Sequence, residues 1–193
     1  MSETNLPQIT LVRHGETAWS LSGQHTGRSD IPLTPAGEAA ARALAPRLAK
    51  KSYAAVWSSP SSRAATTCSL AGFGADRVIE PDLAEWDYGA YEGRTTRDIL
   101  AERPGWRLFR DGCPGGEDAV DVGARADRVI ARIRALDADV LVFSSAHCLR
   151  VLAARWIGLP PEGGALLVLG TASVSVLGYE HDRSEPVLRG WNG

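Results

Sequence analysis

Short apolar runs alternate with helix-forming segments along this chain, and this alternation constrains the fold more than any other feature of the sequence. The runs Gln8–Val12, Ala54–Trp57 and Val140–Ser144 each have the length and the apolar, often β-branched composition of a buried strand. Strands that are separated by helices pair in parallel through right-handed crossovers. The pattern therefore predicts an α/β fold with a mainly parallel sheet flanked by helices.

Capping residues and apolar spacing predict the helices. Thr34 supplies an N-cap and Pro35 a first-turn proline for a helix to about Lys50, with Ala40, Leu44 and Leu48 as its buried stripe. In a helix over Val122–Leu136, one side would carry Val122, Ala126, Val129, Ile130 and Ile133. Further helices are predicted over about 58–70 and about 149–157.

The remaining segments complete a single predicted domain over residues 1–193. Additional strands are expected at Val78–Glu80, Leu166–Leu169 and Val174–Tyr179, and the tail Glu185–Gly193 reads as an edge strand or an irregular end. Residues from about 82 to 117 combine turn residues and aromatics without clear periodicity. We interpret them as an insertion that covers the site.

Composition excludes several classes of function. The chain has 193 residues, and its 21 Lys and Arg against 23 Asp and Glu give a net charge of −2, so it lacks an overall positive field for nucleic acid or an anionic membrane. No apolar run approaches the roughly 20 residues that cross a bilayer. Met1–Gln8 lacks a signal-peptide pattern, and three cysteines without a Cys-x-x-Cys pair favour a reducing cytoplasm over disulfides or zinc.

Arg13 and His14 follow the first strand, at the sheet edge where α/β folds bind ligands. A neutral imidazole can attack phosphorus and form a phosphohistidine, while arginine offers a planar fork to phosphoryl oxygens. Arg63 is expected in the first turn of a helix, where a positive charge is unfavourable unless an anion lies nearby. Glu85 lies among aromatics and glycines, an environment that suits a general acid.

These residues belong to motifs that resemble those of the histidine phosphatase superfamily, the phosphoglycerate mutase-like proteins. The resemblance implies that His14 is the phosphorylated nucleophile, that Arg13 and Arg63 bind phosphate, and that Glu85 protonates the leaving oxygen. It implies neither a metal nor an organic cofactor. The motifs, in chain order, are Arg13-His14-Gly15-Glu16-Thr17, Thr26-Gly27, Leu33-Thr34-Pro35-Ala36-Gly37, Ser59-Pro60 with Arg63-Ala64 and Thr67, Glu85 to Gly93, Cys113-Pro-Gly-Gly-Glu117 and His147-Cys-Leu-Arg150.

The loop that follows the first motif is similar to the branch that contains sedoheptulose bisphosphatase and glucosyl-phosphoglycerate phosphatase. Ser20 stands at or beside the place where many members have a phosphate-contacting Asn, and Thr26 and Gly27 follow. These three residues and His25, for which a solvated loop position is an equal alternative, are candidate substrate-binding residues. His181 reads as a surface histidine. True mutases usually carry a longer insertion after the acid, so hydrolysis is favoured.

One departure from the family pattern lies after the strand at Val140. Family members continue with Ser-His-Gly-His, whose first histidine donates to the phosphoryl group, whereas this chain has Ser144-Ser145-Ala146-His147. Ser145 and Ala146 are kept as candidate binding residues, and the loss of one donor would slow catalysis about 100- to 1000-fold. Three explanations stay open: a deliberate substitution, a naturally slow phosphatase or phospho-ligand binder, or replacement by His147.

The sequence therefore predicts a metal-independent phosphatase of a sugar phosphate or a related small metabolite. The alternatives are a phospho-ligand-binding protein with little turnover, for which Ser145 is the supporting feature, and a phosphoglycerate mutase. The expected partner is a small phosphorylated metabolite, with neither nucleic acid nor membrane. Oligomeric state stays open, with a homodimer as one alternative.

Overall fold

A six-stranded mixed sheet forms the centre of the computed structural model, which describes residues 6–193. The spatial order is β3-β2-β4-β1-β5-β6; the first four strands are parallel, and β5 and β6 pair antiparallel. The α/β fold class is confirmed. The strands are β1 (Ile9–Arg13), β2 (Ala55–Ser58), β3 (Arg77–Ile79), β4 (Val140–Ser144), β5 (Val174–Tyr179) and β6 (Pro186–Gly190). Of the segment judged for a signal peptide, residues 1–5 lie outside the described part of the chain.

Helices cover both faces of the sheet. They are α1 (Ala18–Ser22), α2 (Pro35–Ala43), α3 (Ala45–Leu48), α4 (Ser62–Cys68), α5 (Thr96–Glu102), α6 (Leu108–Asp111), α7 (Ala119–Leu136) and α8 (Ala146–Trp156). A helical segment, Ser69–Phe73, follows α4 and is kinked at Gly72, whose φ is 94°, and 3₁₀ turns occur at Pro81–Leu83, Gly89–Tyr91 and Pro161–Leu166. Within residues 6–193, none of the helices has the length and apolarity needed to span a membrane.

Alternating side chains of β4 serve the two layers of the core. Val140 and Val142 pack in the cluster that includes α7 and α8, while Leu141 and Phe143 pack in the cluster with Leu44, α3 and α4. This period of two is the expected geometry of a strand covered on both faces. The predicted apolar stripe of α7 is confirmed, because all five of its side chains are buried.

Two predictions about local structure are wrong for identifiable reasons. The single helix from Pro35 to Lys50 is divided into α2 and α3, because Pro46 lacks an N–H donor and its ring crowds the preceding turn. Of the predicted stripe, Leu44 and Leu48 are buried and Ala40 is only half-buried, whereas its neighbour Ala41 is fully buried.

Leu166–Leu169 is not a strand, although its side chains alternate between buried and exposed. Both edges of β1 are already paired, by β4 and β5, so the segment cannot join the sheet beside β1. The carbonyls of Val168 and Leu169 instead accept side-chain hydrogen bonds from Trp191 and Arg13.

The segment from Pro81 to Glu117 is irregular but well packed. It contains α5, α6 and two 3₁₀ turns, and it buries Trp86, Tyr88 and Trp106. Gly89 has a φ of 49°, and a Cβ there would lie 2.3 Å from the Pro114 carbonyl oxygen, so this crossing point requires glycine. Its residues line the cavities described below.

Candidate active site

His14 lies at the carboxyl end of β1, directly beside the carboxyl end of β4. Arg13 is in register with Ser144, and the His14 N–H donates to the Ser144 carbonyl at 2.9 Å. The carboxyl edge of parallel strands is the usual ligand-binding edge of such sheets. A cavity of about 250 Å³ opens there, lined by Arg13, His14, Trp19, Ser20, Gly23, Gln24, His25, Thr26, Glu85, Tyr88, Thr96, Ala146 and His147.

The imidazole of His14 is oriented for nucleophilic attack. Its Nδ1 lies 2.7 Å from the Gly15 carbonyl oxygen, which assigns the proton to Nδ1 and leaves the lone pair on Nε2. Burial, followed by the positive charges of Arg13 and Arg63, lowers the pKa of His14 to about 3. The side chain is therefore a neutral imidazole at ordinary pH.

The loop after His14 is tied to the helix that carries Arg63. The Gly15 N–H donates to the Thr67 hydroxyl at 3.0 Å, and that hydroxyl donates to the Arg63 carbonyl at 2.7 Å. These bonds fix the nucleophile's backbone relative to α4. Thr67 belongs to a sequence motif noted above, but the sequence gives it no role.

The two candidate phosphate-binding arginines are anchored by carbonyl oxygens. Arg13 donates from Nη1 to the Leu169 carbonyl at 2.5 Å. Arg63 is fully buried and donates to the carbonyls of Ser29, Thr26 and Gly27 at 2.9–3.1 Å. Its Nη1 and Nη2 atoms, which were predicted to bind phosphate, therefore also hold the loop over these residues in place. Within residues 6–193, the Nε atoms of both arginines are buried without a hydrogen-bond partner.

At the start of α8, Ser145 occupies the N-cap position, but the capping hydrogen bonds are made by Glu85. Ser145 occupies the N-cap position but makes no capping bond, and its buried hydroxyl has no partner within the described residues. The Glu85 carboxylate instead accepts the N–H groups of His147 and Cys148 at 3.1 and 2.8 Å, and that of Trp86 at 2.9 Å. This cap explains why α8 begins at Ala146 rather than near Leu149.

Arg125 positions the segment that carries Glu85, and sequence reasoning missed it. Its guanidinium donates to the carbonyls of Asp82 and Ala84 at 2.7 and 2.9 Å, and to both Glu117 carboxylate oxygens at 2.8 and 2.9 Å. A signal was present in the sequence. Arg125 lies three residues after Val122, within the apolar stripe of α7, where an unpaired charge would be costly.

His147 lines the cavity. β4 ends at Ser144, as predicted, and His147 lies in the first turn of α8. Its Nδ1 lies 2.6 Å from the Tyr88 hydroxyl. Burial, with smaller contributions led by Arg150, holds the pKa of His147 well below its ordinary value.

The structure places most of the predicted substrate-binding residues at the cavity, but not all. Ser20, His25, Thr26 and Ala146 line it, although the Ser20 hydroxyl is already bonded to the Thr17 backbone. Gly27 does not line this cavity: the Glu92 carboxylate accepts its N–H, and Gly27 lines a neighbouring cavity instead. Ser145 and the predicted phosphate-binding Arg63 are buried and do not line the cavity either.

Other histidines and acidic residues add no further site. His25 packs 4.7 Å from Tyr88, and burial lowers its pKa. His181 is exposed, as expected, and bonds to Glu185. Across residues 6–193, no three His, Cys, Asp or Glu side chains are grouped as metal ligands.

Most of the chain is similar to known proteins in sequence and in fold. The model of the histidine phosphatase superfamily (branch 1) matches residues 9–192. An acid phosphatase of Mycobacterium tuberculosis is 37% identical over 190 residues, which is 96% of this chain and 93% of the relative. Sedoheptulose 1,7-bisphosphatase of Saccharomyces cerevisiae is 37% identical over 186 residues, covering 79% and 68%. A solved structure of a Mycobacterium tuberculosis open reading frame superposes with a TM-score of 0.91 at 36% identity, covering 96% and 97%.

Proposed function

The chain belongs to the histidine phosphatase superfamily (branch 1) and is an enzyme of that type, and we propose that it hydrolyses phosphate monoesters of a sugar or a related small metabolite through a phosphohistidine. The reaction needs no metal in this proposal. The small phosphorylated metabolite is the only partner that the proposal requires.

The state of the His14 imidazole is the observation that carries the proposal. The imidazole is buried and neutral, and its Nδ1–H donates to the Gly15 carbonyl. Its Nε2 keeps a lone pair, and His14 lines the cavity. The Nε–H groups of Arg13 and Arg63 and the Ser145 hydroxyl are buried donors without protein acceptors in the described chain, and of these three residues Arg13 lines the cavity. A phosphoryl group would supply oxygen acceptors for such donors and balance the arginine charges.

The first step transfers the phosphoryl group to the protein. The lone pair of His14 Nε2 forms a bond to phosphorus as the bond from phosphorus to the ester oxygen breaks. Protonated Glu85 gives its proton to the departing oxygen, which leaves as an alcohol. Arg13 and Arg63 neutralise the phosphoryl oxygens through the transition state.

The second step regenerates the enzyme. Water attacks phosphorus, the Glu85 carboxylate takes the water proton, and the electrons of the bond between nitrogen and phosphorus return to Nε2. Inorganic phosphate is the product. Three of about four acceptor sites of an ionised carboxylate are used by backbone N–H groups, which leaves Glu85 one site for this proton.

Ser145 supports the proposal that turnover is slow. A hydroxyl there offers one short, uncharged donor where the family pattern has an imidazole, and removing such a donor costs about 100- to 1000-fold in rate. His147 is bonded to Tyr88, which favours a structural role over replacement of the missing histidine. A phospho-ligand-binding protein with little turnover is the second candidate, and Ser145 is the observation that favours it.

Phosphate release from a panel of sugar phosphates and phosphoglycerates tests the proposal. Hydrolysis of a sugar phosphate is the expected result, and isomerised phosphoglycerate without release would assign a mutase instead. Calorimetric binding of phosphate without any turnover would favour the binding protein. We place the chain in the cytoplasm, a proposal supported by its free thiols at Cys68, Cys113 and Cys148.

A further inference from the structure

Two cavities adjoin the His14 cavity and differ in what they share with it. One of about 540 Å³, here called the aromatic cavity, is lined by His25, Thr96, Leu100, Gly105, Trp106, Arg107, Leu108 and His147. The other, of about 480 Å³, here called the acidic cavity, is lined by Gly27, Arg28, Asp30, Ser59, Pro60, Ser61, Ala84, Glu85, Asp87, Glu117 and Arg125. The aromatic cavity shares His25, Thr96 and His147 with the His14 cavity, whereas the acidic cavity shares only Glu85.

The acidic cavity is unfavourable for an anion. Two arginines line it against the carboxyl groups of Asp30, Asp87, Glu117 and Glu85, which leaves a formal charge of −1 when Glu85 carries the catalytic proton and −2 when it does not. Both arginines are already paired: Arg28 lies 2.7 Å from Asp87, and Arg125 lies 2.8 Å from Glu117. A negatively charged group entering there would meet net repulsion without a free cation to bind it.

The aromatic cavity has the opposite character. Apart from Arg107, its walls are indole, imidazole and leucine side chains together with Thr96 and Gly105, and burial keeps His25 and His147 neutral by lowering their pKa. Arg107 therefore carries its only formal charge. Across residues 6–193, the Arg107 guanidinium makes neither an ion pair nor a hydrogen bond, in contrast to Arg28.

This inference rests on the proposed hydrolase. We propose that the aromatic cavity binds the leaving group of the substrate. It selects phosphate monoesters whose alcohol has an apolar or flat body that ends in an anionic group. The ester oxygen stays in the His14 cavity, which Glu85 also lines. The body of the alcohol extends past His25 and His147 into the aromatic cavity. Arg107 then pairs with a terminal carboxylate or second phosphate. The volume is within the range of small-molecule pockets.

Affinity measurements with non-hydrolysable probes test this assignment without requiring turnover. The probes are benzylphosphonate and para-carboxybenzylphosphonate, which differ only in the terminal anion. The carboxylated probe is expected to bind about 2- to 5-fold more tightly to the unmodified chain, the range for an exposed ion pair. In Arg107→Gln the two affinities become equal. The matched control Arg28→Gln, at an exposed arginine of the acidic cavity, keeps the preference.

A second pair of variants tests the apolar wall. Leu100→Asn is expected to reduce the preference for benzylphosphonate over methylphosphonate about threefold, since it removes apolar surface from the cavity. Leu136→Asn, at a similarly exposed leucine that lines no described cavity, leaves the preference unchanged. Loss of either preference through the control variants, or its absence in the unmodified chain, would overturn the assignment.

Hydrolysis of benzyl phosphate, measured alongside, separates this inference from the proposed function. Phosphate release with equal probe affinities rejects the aromatic cavity as the leaving-group site while the hydrolase stands. Probe discrimination that depends on Arg107, without any release by the unmodified chain or by Ser145→His, rejects the hydrolase but retains the binding site.

Discussion

The carboxyl ends of β1 and β4 lie side by side in the sheet, but they offer different chemistry. At the end of β1, His14 is a buried neutral imidazole whose loop is fixed by Thr67. At the end of β4, Ser145 offers one buried hydroxyl without a partner in the described chain. The N–H groups of the helix that follows are occupied by Glu85.

We infer that both binding and nucleophilic attack require the β1 end, whereas the β4 end sets how fast the reaction proceeds. The β1 end, with Arg63 from α4, has the charges and the nucleophile that the first chemical step needs. The β4 end holds the proton donor in place but lacks the second imidazole of the family pattern. Changes at the two ends should therefore have separable effects.

The largest expected effect comes from removing the nucleophile. His14→Ala should lower kcat by about 10⁴- to 10⁶-fold, as for other enzymes that lose a covalent nucleophile. Phosphate release from the best ester of the panel measures it. His181→Ala, at an exposed histidine, is the matched control and should retain full activity. Turnover retained in His14→Ala would remove the basis of the comparison.

Glu85→Gln should affect esters according to their leaving groups. Esters with poor leaving groups should slow about 10²- to 10⁴-fold, whereas activated aryl phosphates slow much less, because only the former need a proton. Rates on the two ester classes give the ratio. Since Glu85 also caps α8, thermal unfolding must accompany the kinetics. Equal losses on both classes would assign Glu85 to structure alone.

Restoring the family pattern at β4 sharpens the comparison in the opposite direction. Ser145→His combined with Ala146→Gly should raise kcat/KM by about 2.7 to 4 kcal/mol of transition-state stabilisation, which is about 100- to 1000-fold. Steady-state kinetics of the double variant measures the gain. If it has none while His147→Ala destroys activity, then His147 supplies the missing donor and the argument about Ser145 is wrong.

The buried His14 should also make folding stability depend on pH. Its pKa is about 3 when folded against 6.5 for a free side chain, so unfolding takes up a proton between these values. Stability is therefore greatest above about pH 6.5 and falls on acidification, by up to about 1.4 kcal/mol per pH unit from this group. Urea unfolding at several pH values should show a shallower dependence for His14→Gln. An unchanged dependence would show that His14 is not a buried neutral group.

The smallest expected effect is that of a chelator. Activity should be unchanged after dialysis against a chelator, because in the described residues the acidic, His and Cys side chains form no metal-ligand group. Loss of activity that added Mg²⁺ or Zn²⁺ restores would contradict the proposed metal-free chemistry at both strand ends.

Local sequence patterns predicted the elements whose burial follows a simple period. β4 and β5 have the predicted bounds, and α7 buries its predicted stripe. The failures arose where the outcome depends on distant neighbours. Leu166–Leu169 has strand-like alternation, but only the sheet order shows that both edges of β1, whose Arg13 contacts this segment, are already paired.

The same distinction applies to the site. Arg13 and His14 follow a strand and could be found from sequence, whereas the N-terminal cap of α8 comes from Glu85, about sixty residues earlier in the chain. The contact between Tyr88 and His147 and the carbonyl partners of Arg63 likewise depend on tertiary packing. Sequence motifs identify these residues, but not which of their hydrogen-bonding groups are already used.

Locating the covalent phosphoryl group tests the central claim most directly. The chain would be mixed with an excess of an activated aryl phosphate, quenched in base and mapped by mass spectrometry. The account predicts an acid-labile phosphoryl group on His14, which is absent from His14→Ala. Turnover with the phosphoryl group on Ser145 or His147, or with none on the protein in rapid-quench samples, would contradict it.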